Sequence, residues 1–426
     1  MSDTARTGTP TRIVCLGGGW STLYLVRALR GAIRRGKVEV TVVSRDNYHT
    51  FHGFIGEVLS GRIQPEQIIS PARRIFAPAR FHNAEIESVD PEEKTVTTAR
   101  LLDGKRFELE YDQLFVAVGS VDDLDRYPGV AEHALRVKSY WEVFKARSQL
   151  LSVLEMAEIE PDPEERRRLL TVVTVGGNFG GIEVAAEILD YFKRLARKEY
   201  PGIDPEEISV IVVHSGDRIL PELQDDHPKM VRYAEDFFTD SGLEFRLGRR
   251  VTAATREEAV LDDGERIATR TILSCAGTDT APLLRDGPFE LDESGRLPLR
   301  ATGQLRERDD VWAGGDCASM PHPDGGVCPQ VAIHAMMGGR QVGKNLLRQQ
   351  RGKDLRPFRF TGLGEACSLG RRHAVSTAAW PGSRGASPSW PSSRAGSSGS
   401  ASSRTGWWWA SSAGTSSTSR CTSPTA

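Results

Sequence analysis

Residues 12–19 read RIVCLGGG and residues 170–177 read LTVVTVGG, so an apolar, β-rich run emptying into consecutive glycines is written twice in this chain. After the first, Leu23, Leu25, Val26 and Leu29 recur at helical spacing, and KVEVTVVS at 37–44 supplies a second strand. After the second, Ile182, Ala186 and Leu189 mark a helix, and ISVIVV at 208–213 is the strand that follows. Runs apolar at nearly every position are buried on both faces, as in a parallel sheet covered by helices. Each unit ends in a further apolar strand leading to a glycine, LFVAVGS at 114–120 and ILSCAGT at 272–278. A single glycine turn is ordinary punctuation. The doubled order of strand, glycine turn, helix, strand and final strand predicts an α/β fold with two Rossmann-like mononucleotide-binding modules.

A glycine turn between strand and helix bares backbone N–H groups at the positive end of the helix dipole, which suits a pyrophosphate. In the first unit Gly17 makes the turn, Gly18 follows and Gly19 admits the phosphate; Thr22 replaces the third glycine and is expected to loosen helix-to-strand packing slightly. The second unit runs Gly176, Gly177, Asn178 and Gly181, so a side chain is expected where the phosphate needs bare backbone. A carboxylate at the end of the second strand would hold the ribose diol. Here those positions are Ser44, followed by Arg45, and His214, followed by Ser215. Either the ribose carries an extra 2′-phosphate or water satisfies an edge position. A third signal is VWAGGD at 311–316, a strand that delivers the Asp316 carboxylate, for which a turn or helix cap is the plainer role.

The chain has 426 residues, 39% hydrophobic and 26% charged, enough for two to three globular domains. Lys plus Arg is 55 against 57 for Asp plus Glu, a net charge of -2, so no basic field exists to hold nucleic acid. The N-terminus is polar and no run approaches the ~18 apolar residues of a membrane helix, which points to a cytoplasmic location. Six cysteines at 15, 275, 317, 328, 367 and 421 form no C-x-x-C pair, so neither a disulfide framework nor a metal site is expected. Cys15 and Cys275 lie in apolar runs and read as inert thiols, leaving Cys317, Cys328 and Cys367 for any thiol chemistry.

The motifs stand in a fixed order: the GGG unit, NYHTF at 47–51, YDQLFVAVGS at 111–120, a GGxxGG unit leading into Ile182-Glu183, SGDRILPEL at 215–223 and VWAGGDCA at 311–318. Over roughly residues 12 to 375 this order resembles the flavoproteins of the pyridine nucleotide-disulfide oxidoreductase superfamily, and most of all the type II NADH:quinone oxidoreductases. The resemblance implies an FAD-binding domain over 10–140 and 291–375 and an inserted NAD(P)-binding domain over 141–290, with the polar helical stretch 140–169 at the crossing. It implies FAD on Gly17, Gly18, Gly19, Ser44, Arg45, Gly119 and Asp316, and NAD(P)H on Gly176, Gly177, Gly181, His214 and Gly277. Glu183 would be the catalytic group facing the nicotinamide, a place compatible with its being a favourable charge early in a helix. A quinone or similar small molecule would take the electrons. NYHTFHGFIGEVLSG at 47–61 lacks the cysteine pair that the superfamily's disulfide reductases keep there, which argues against disulfide reduction.

Two glutamines of that family's quinone pocket fall on Ile333 and Gly338, leaving Gln330 and His334 as polar candidates on the acceptor side, while Ile333, Met336 and Met337 form either an apolar slot or core. Two other functions fit parts of the pattern. A sulfide:quinone reductase-like enzyme would use Cys317 and Cys328, and a catalytically impaired nucleotide-sensing flavoprotein would explain Ser44, Asn178, His214, Ile333 and Gly338 together. A homodimer is the common default. RRIFAPAR at 73–80 and GKNLLRQQRGK at 343–353 are basic runs that could meet anionic lipid, although such runs usually form solvated faces.

After Val375 the composition changes to Ser, Ala, Gly, Arg, Thr and Trp, with no Asp, Glu, Lys, Leu, Ile or Val, and the tail over 376–426 cannot build a core. The family continues instead into an amphipathic segment that lies on a membrane. Trp407-Trp408-Trp409 requires repeated TGG codons, which an alternative frame reads as valine, so the tail reads as a frameshifted family segment or as disorder. Restored, that segment would put the protein peripherally on the inner face of the cell membrane.

Overall fold

The computed structural model describes residues 9–122, 124–225, 227–275, 279–364, 366–369 and 374–376. Ile13, Val14, Cys15 and Leu16 are all buried because β1 (Thr11–Leu16) runs through the middle of a parallel sheet. Helix α1 (Trp20–Arg34), β2 (Val38–Ser44), β3 (Arg80–Asn83) and β4 (Gln113–Val116) follow. The chain then builds a second module from β5 (Ala134–Arg136), α2 (Tyr140–Ile159), β6 (Thr171–Val175), α3 (Phe179–Ala196), β7 (Ser209–His214), β8 (Leu243–Leu247) and β9 (Thr271–Ser274). It returns to the first sheet with β10 (Val311–Ala313) and covers it with α4 (Ala332–Gln349).

The two sheets have matching orders, β10-β4-β1-β2-β3 and β5-β9-β6-β7-β8, and every pair in them is parallel. Each module places a three-stranded antiparallel meander before its final central strand, Glu85–Asp90 to Arg106–Glu110 in the first and Val251–Ala254 to Arg266–Ala268 in the second. The fold is thus two Rossmann-like domains, the second inserted into the first between β4 and β10.

The stretch expected to be a polar crossing is an integral wall of the second module. Val143, Ala146, Leu150, Val153, Leu154 and Ala157 of α2 follow helical spacing and are buried with β6 and α3. The stripe is obscured in the sequence because the outer face also carries Trp141 and Met156, 65% and 50% exposed. In the first module α4 lies directly on α1, so close that a Cβ at Gly339 would fall 1.9 Å from the Ser21 carbonyl oxygen. Met336 is 3% exposed, which makes this part of the methionine stripe core. Among the described residues no helix is long and apolar enough to cross a membrane.

Candidate functional site

At Gly17 the backbone turns with φ +98°, and a Cβ there would lie 2.2 Å from the Ala117 carbonyl oxygen, so the position needs glycine. The Gly17 N–H donates to Val43 O at 2.8 Å and ties the turn to β2. Gly19 is the N-cap of α1, no side chain among the described residues bonds to the helix N–H groups, and a Cβ there would meet nothing within 4 Å. Uncommitted first-turn N–H groups facing open space fit a diphosphate. Thr22 does not loosen the packing as expected: it is fully buried and its Oγ1 donates to Gly17 O at 2.7 Å, replacing a bare contact with a hydrogen bond. Ser44 is half-buried beside Gly18, and its carbonyl and that of Arg45 accept from Asn83 Nδ2 at 3.0 and 2.7 Å. The Arg45 side chain is exposed.

Gly119, Asp316 and Gln330 come together with Ser120, Arg296 and Cys317 around a pocket of about 200 Å³. Burial raises the Asp316 carboxyl above its ordinary value, against the opposing pull of Lys138, His52 and Arg296. Gln330 Nε2 donates to the Asp316 carbonyl at 2.9 Å. His52 Nε2 lies 2.7 Å from Lys138 O and burial lowers its pKa, while Lys138 pairs with Asp122. His49, edge-on to Trp20 at 4.4 Å, is pushed down to about 4 by burial. Sequence reading missed Lys138, Asp122 and Arg296 because they are distant in the chain and belong to no motif. His52 lay inside a quoted motif, and the signal would have been two histidines flanking an aromatic in HTFH.

The second turn repeats the first. Gly176 has φ +117° and its N–H donates to Val213 O at 2.8 Å. A Cβ at Gly181 would lie 2.0 Å from Gly176 O, so α3 presses on its turn where α1 uses Thr22. Asn178 corrects the expectation of a side chain in the phosphate's place. Its Oδ1 accepts from the Gly181 N–H at 2.9 Å and its Nδ2 donates to Cys275 O at 3.1 Å, so the amide folds inward as the N-cap of α3. Burial raises the Glu222 carboxyl, against the opposing pull of the Phe179 N–H at the start of the same helix. The His214 ring lies against Gly177 and Gly216, where added Cβ atoms would fall 2.7 and 2.8 Å from it. Burial, then Arg250, lowers its pKa. Gly277 and the tail from residue 377 lie outside the described residues.

Glu183 projects from α3 to where the second module meets the helix Ile55–Leu59 and the strand Ala366–Ser368. Its Oε1 accepts from the Ser368 N–H at 2.8 Å, and burial, with help from Glu57 and Glu187, raises its pKa to about 7. Glu187 is itself paired with Arg62. On the acceptor side Ile333 is half-buried. His334 is 9% exposed and packs beside Phe360 at 5.2 Å and His322 at 5.8 Å, away from the pocket that holds Gln330. Neither of its ring nitrogens has a partner among the described residues. Burial pushes the Cys317 and Cys328 thiols up to about 11 and Cys275 to about 12, so these cysteines are neutral.

The profile of the pyridine nucleotide-disulphide oxidoreductase family matches residues 11–339. The chain is 26% identical over 369 residues to a probable NADH dehydrogenase of Dictyostelium discoideum, covering 85% of this chain and 80% of that one. It is 25% identical over 371 residues to the type II NADH:quinone oxidoreductase of Staphylococcus aureus, covering 85% and 89%. Among solved structures, the NDH2 of Plasmodium falciparum superposes with a TM-score of 0.78 at 16% identity, over 87% of this chain and 90% of that one, and shares the fold. With two glycine turns built on one plan and a family match running from β1 into α4, the chain belongs to the pyridine nucleotide-disulphide oxidoreductase family.

Proposed function

We propose that this protein is an FAD-dependent NAD(P)H dehydrogenase that passes electrons to a quinone: NAD(P)H, a proton and quinone give NAD(P)⁺ and hydroquinone. The observation that carries the reading is the pairing of an uncapped glycine turn at α1 with a self-capped one at α3, in a fold shared with NADH:quinone oxidoreductases. When bound, FAD accepts a hydride and releases its electrons onward. The open N-terminus of α1 would bind its diphosphate, and Asp316, whose carboxylate accepts no hydrogen bond from a described side chain, would accept from its sugar-like hydroxyls. The second turn would bind NAD(P)H. His214 stands where the ribose carboxylate would be, with Arg250 and Asp217 both acting on its ring, so a 2′-phosphate would meet one charge of each sign there.

Glu183, titrating near 7, can hold or release a proton at Oε under working conditions, which suits a reaction that takes up one proton per nucleotide oxidised. His334, whose ring nitrogens have no partner among the described residues, is the polar group proposed to meet the quinone head, while Gln330 lines the Asp316 pocket instead. The absence of a cysteine pair in 47–61 and the neutral, buried Cys317 and Cys328 give the thiol chemistries no support. Anaerobic titration of the purified protein with NADH and NADPH, followed at the flavin band and then by reoxidation with a short-chain quinone, tests the reading. Bleaching reversed by quinone is the expected result; a flavin that neither nucleotide bleaches would overturn it.

A further inference from the structure

The basic run at 343–353 is only partly a solvated face. Lys344, Arg348 and Arg351 are spaced four and three residues apart, so the end of α4 and the turn after it carry them along one side. The chain then doubles back. The buried Asn345 donates through Nδ2 to Arg356 O at 2.8 Å and accepts from the Arg356 N–H at 3.0 Å, while Gln341 Nε2 donates to the same carbonyl at 3.0 Å. These bonds pin Arg356 opposite the helix. Between the two walls lies a groove of about 280 Å³ lined by Gln341, Lys344, Leu347, Arg348, Arg351 and Arg356.

Among the described residues none of these four cations has a carboxylate within 4.0 Å; Arg348 Nε is spent on the Asp354 carbonyl and not on its carboxylate. Most arginines of the two meanders, by contrast, are ion-paired, as Arg106 is with Glu87 and Arg266 with Glu258. Four cations converging without a counter-charge leave a local positive potential that an anion would relieve, and three guanidinium forks match phosphate oxygens in geometry as well as charge. The groove's volume suits a small polyanion and falls below that of a drug-sized ligand site.

We propose that this groove is a second anion site, separate from both nucleotide turns, that binds a phosphate-bearing group: a phosphate ester or diphosphate, free in solution or as the headgroup of an anionic lipid. Arg351 and Arg356 would grip the phosphate from opposite walls, with Lys344 and Arg348 supplying further charge. The inference does not depend on the proposed electron acceptor.

The test uses the full chain saturated with FAD and NAD⁺, so that both nucleotide turns are filled, titrated calorimetrically with pyrophosphate at constant ionic strength. Binding weakened at least tenfold in R348Q/R351Q, and again in K344Q/R356Q, with unchanged FAD content and no change in the exposed control R197Q, is the expected result. Co-sedimentation with phosphatidylglycerol vesicles, against phosphatidylcholine vesicles, assigns the source. Retention lost in the same double variants identifies a lipid headgroup, and pyrophosphate binding without retention identifies a soluble phosphate. If both double variants keep their fold and neither pyrophosphate nor phosphatidylglycerol binding differs from the unaltered protein, the site does not exist.

Discussion

The two glycine turns share a backbone and differ in how their helix N-termini are finished. At α1, Gly19 offers no capping side chain and the first-turn N–H groups have no side-chain partner among the described residues. At α3, Asn178 caps the Gly181 N–H, and the Phe179 N–H opposes the rise that burial gives the Glu222 carboxyl. An N-terminus with unsatisfied donors gains most from an anion that stays, whereas one that is already partly satisfied gains less from each arriving phosphate. Under the proposed function the first turn would hold the resident cofactor and the second the nucleotide that comes and goes.

The contrast can be broken most severely at Gly17. Its positive φ and the Ala117 carbonyl 2.2 Å from a built Cβ mean that Gly17→Ala must distort β1 against β4. A loss of about 3 kcal/mol or more is expected, with protein that purifies without flavin colour; thermal melting and the absorbance ratio check it. The same change tolerated with full flavin content would refute the role of the turn.

Glu183 probes the second module through pH. Its pKa is about 7 in the folded protein against an ordinary 4.5, so the folded state holds its proton more tightly and stability falls as pH rises from about 4.5 to 7. Glu183→Gln removes this cost. The variant should melt higher than the parent at pH 8, by as much as about 3 kcal/mol, and nearly alike at pH 4. Equal melting at both pH values would show the group to be solvated.

Exchanging the finishes of the two turns sharpens the comparison. Gly19 is extended, with φ -78°, and has room for a side chain, so Gly19→Asn should fold, cap α1 and displace the flavin diphosphate. FAD affinity should fall about tenfold or more, or at least about 1.4 kcal/mol, measured by fluorescence titration of apoprotein. Asn178→Ala is the reciprocal change and the smallest effect. Losing the cap should cost about 1 kcal/mol of stability while FAD content stays at the parent level, as denaturant unfolding and flavin absorbance would record.

How much of this was legible beforehand varied with the physics involved. The strands and their order followed from apolar runs bounded by glycines, because a parallel strand buried on both faces leaves a continuous mark. Thr22 and Asn178 were misjudged because spacing locates a residue but does not tell whether its side chain turns toward the ligand or back onto the backbone. The α2 stripe was hidden by Trp141 and Met156 on the solvent face. The shifted pKa of Glu183 arises from burial where Ile55–Leu59 and Ala366–Ser368 meet α3, and the polar surroundings of Asp316 come from Lys138, His52 and Arg296; both are products of tertiary packing that no local pattern records.

The most direct test of the difference between the turns is to saturate the protein with FAD and NAD⁺, pass it through gel filtration into nucleotide-free buffer, and measure what remains bound. About one FAD should remain per chain and NAD⁺ should wash away; loss of FAD with retention of NAD⁺, or equal retention of both, would contradict the contrast between the turns.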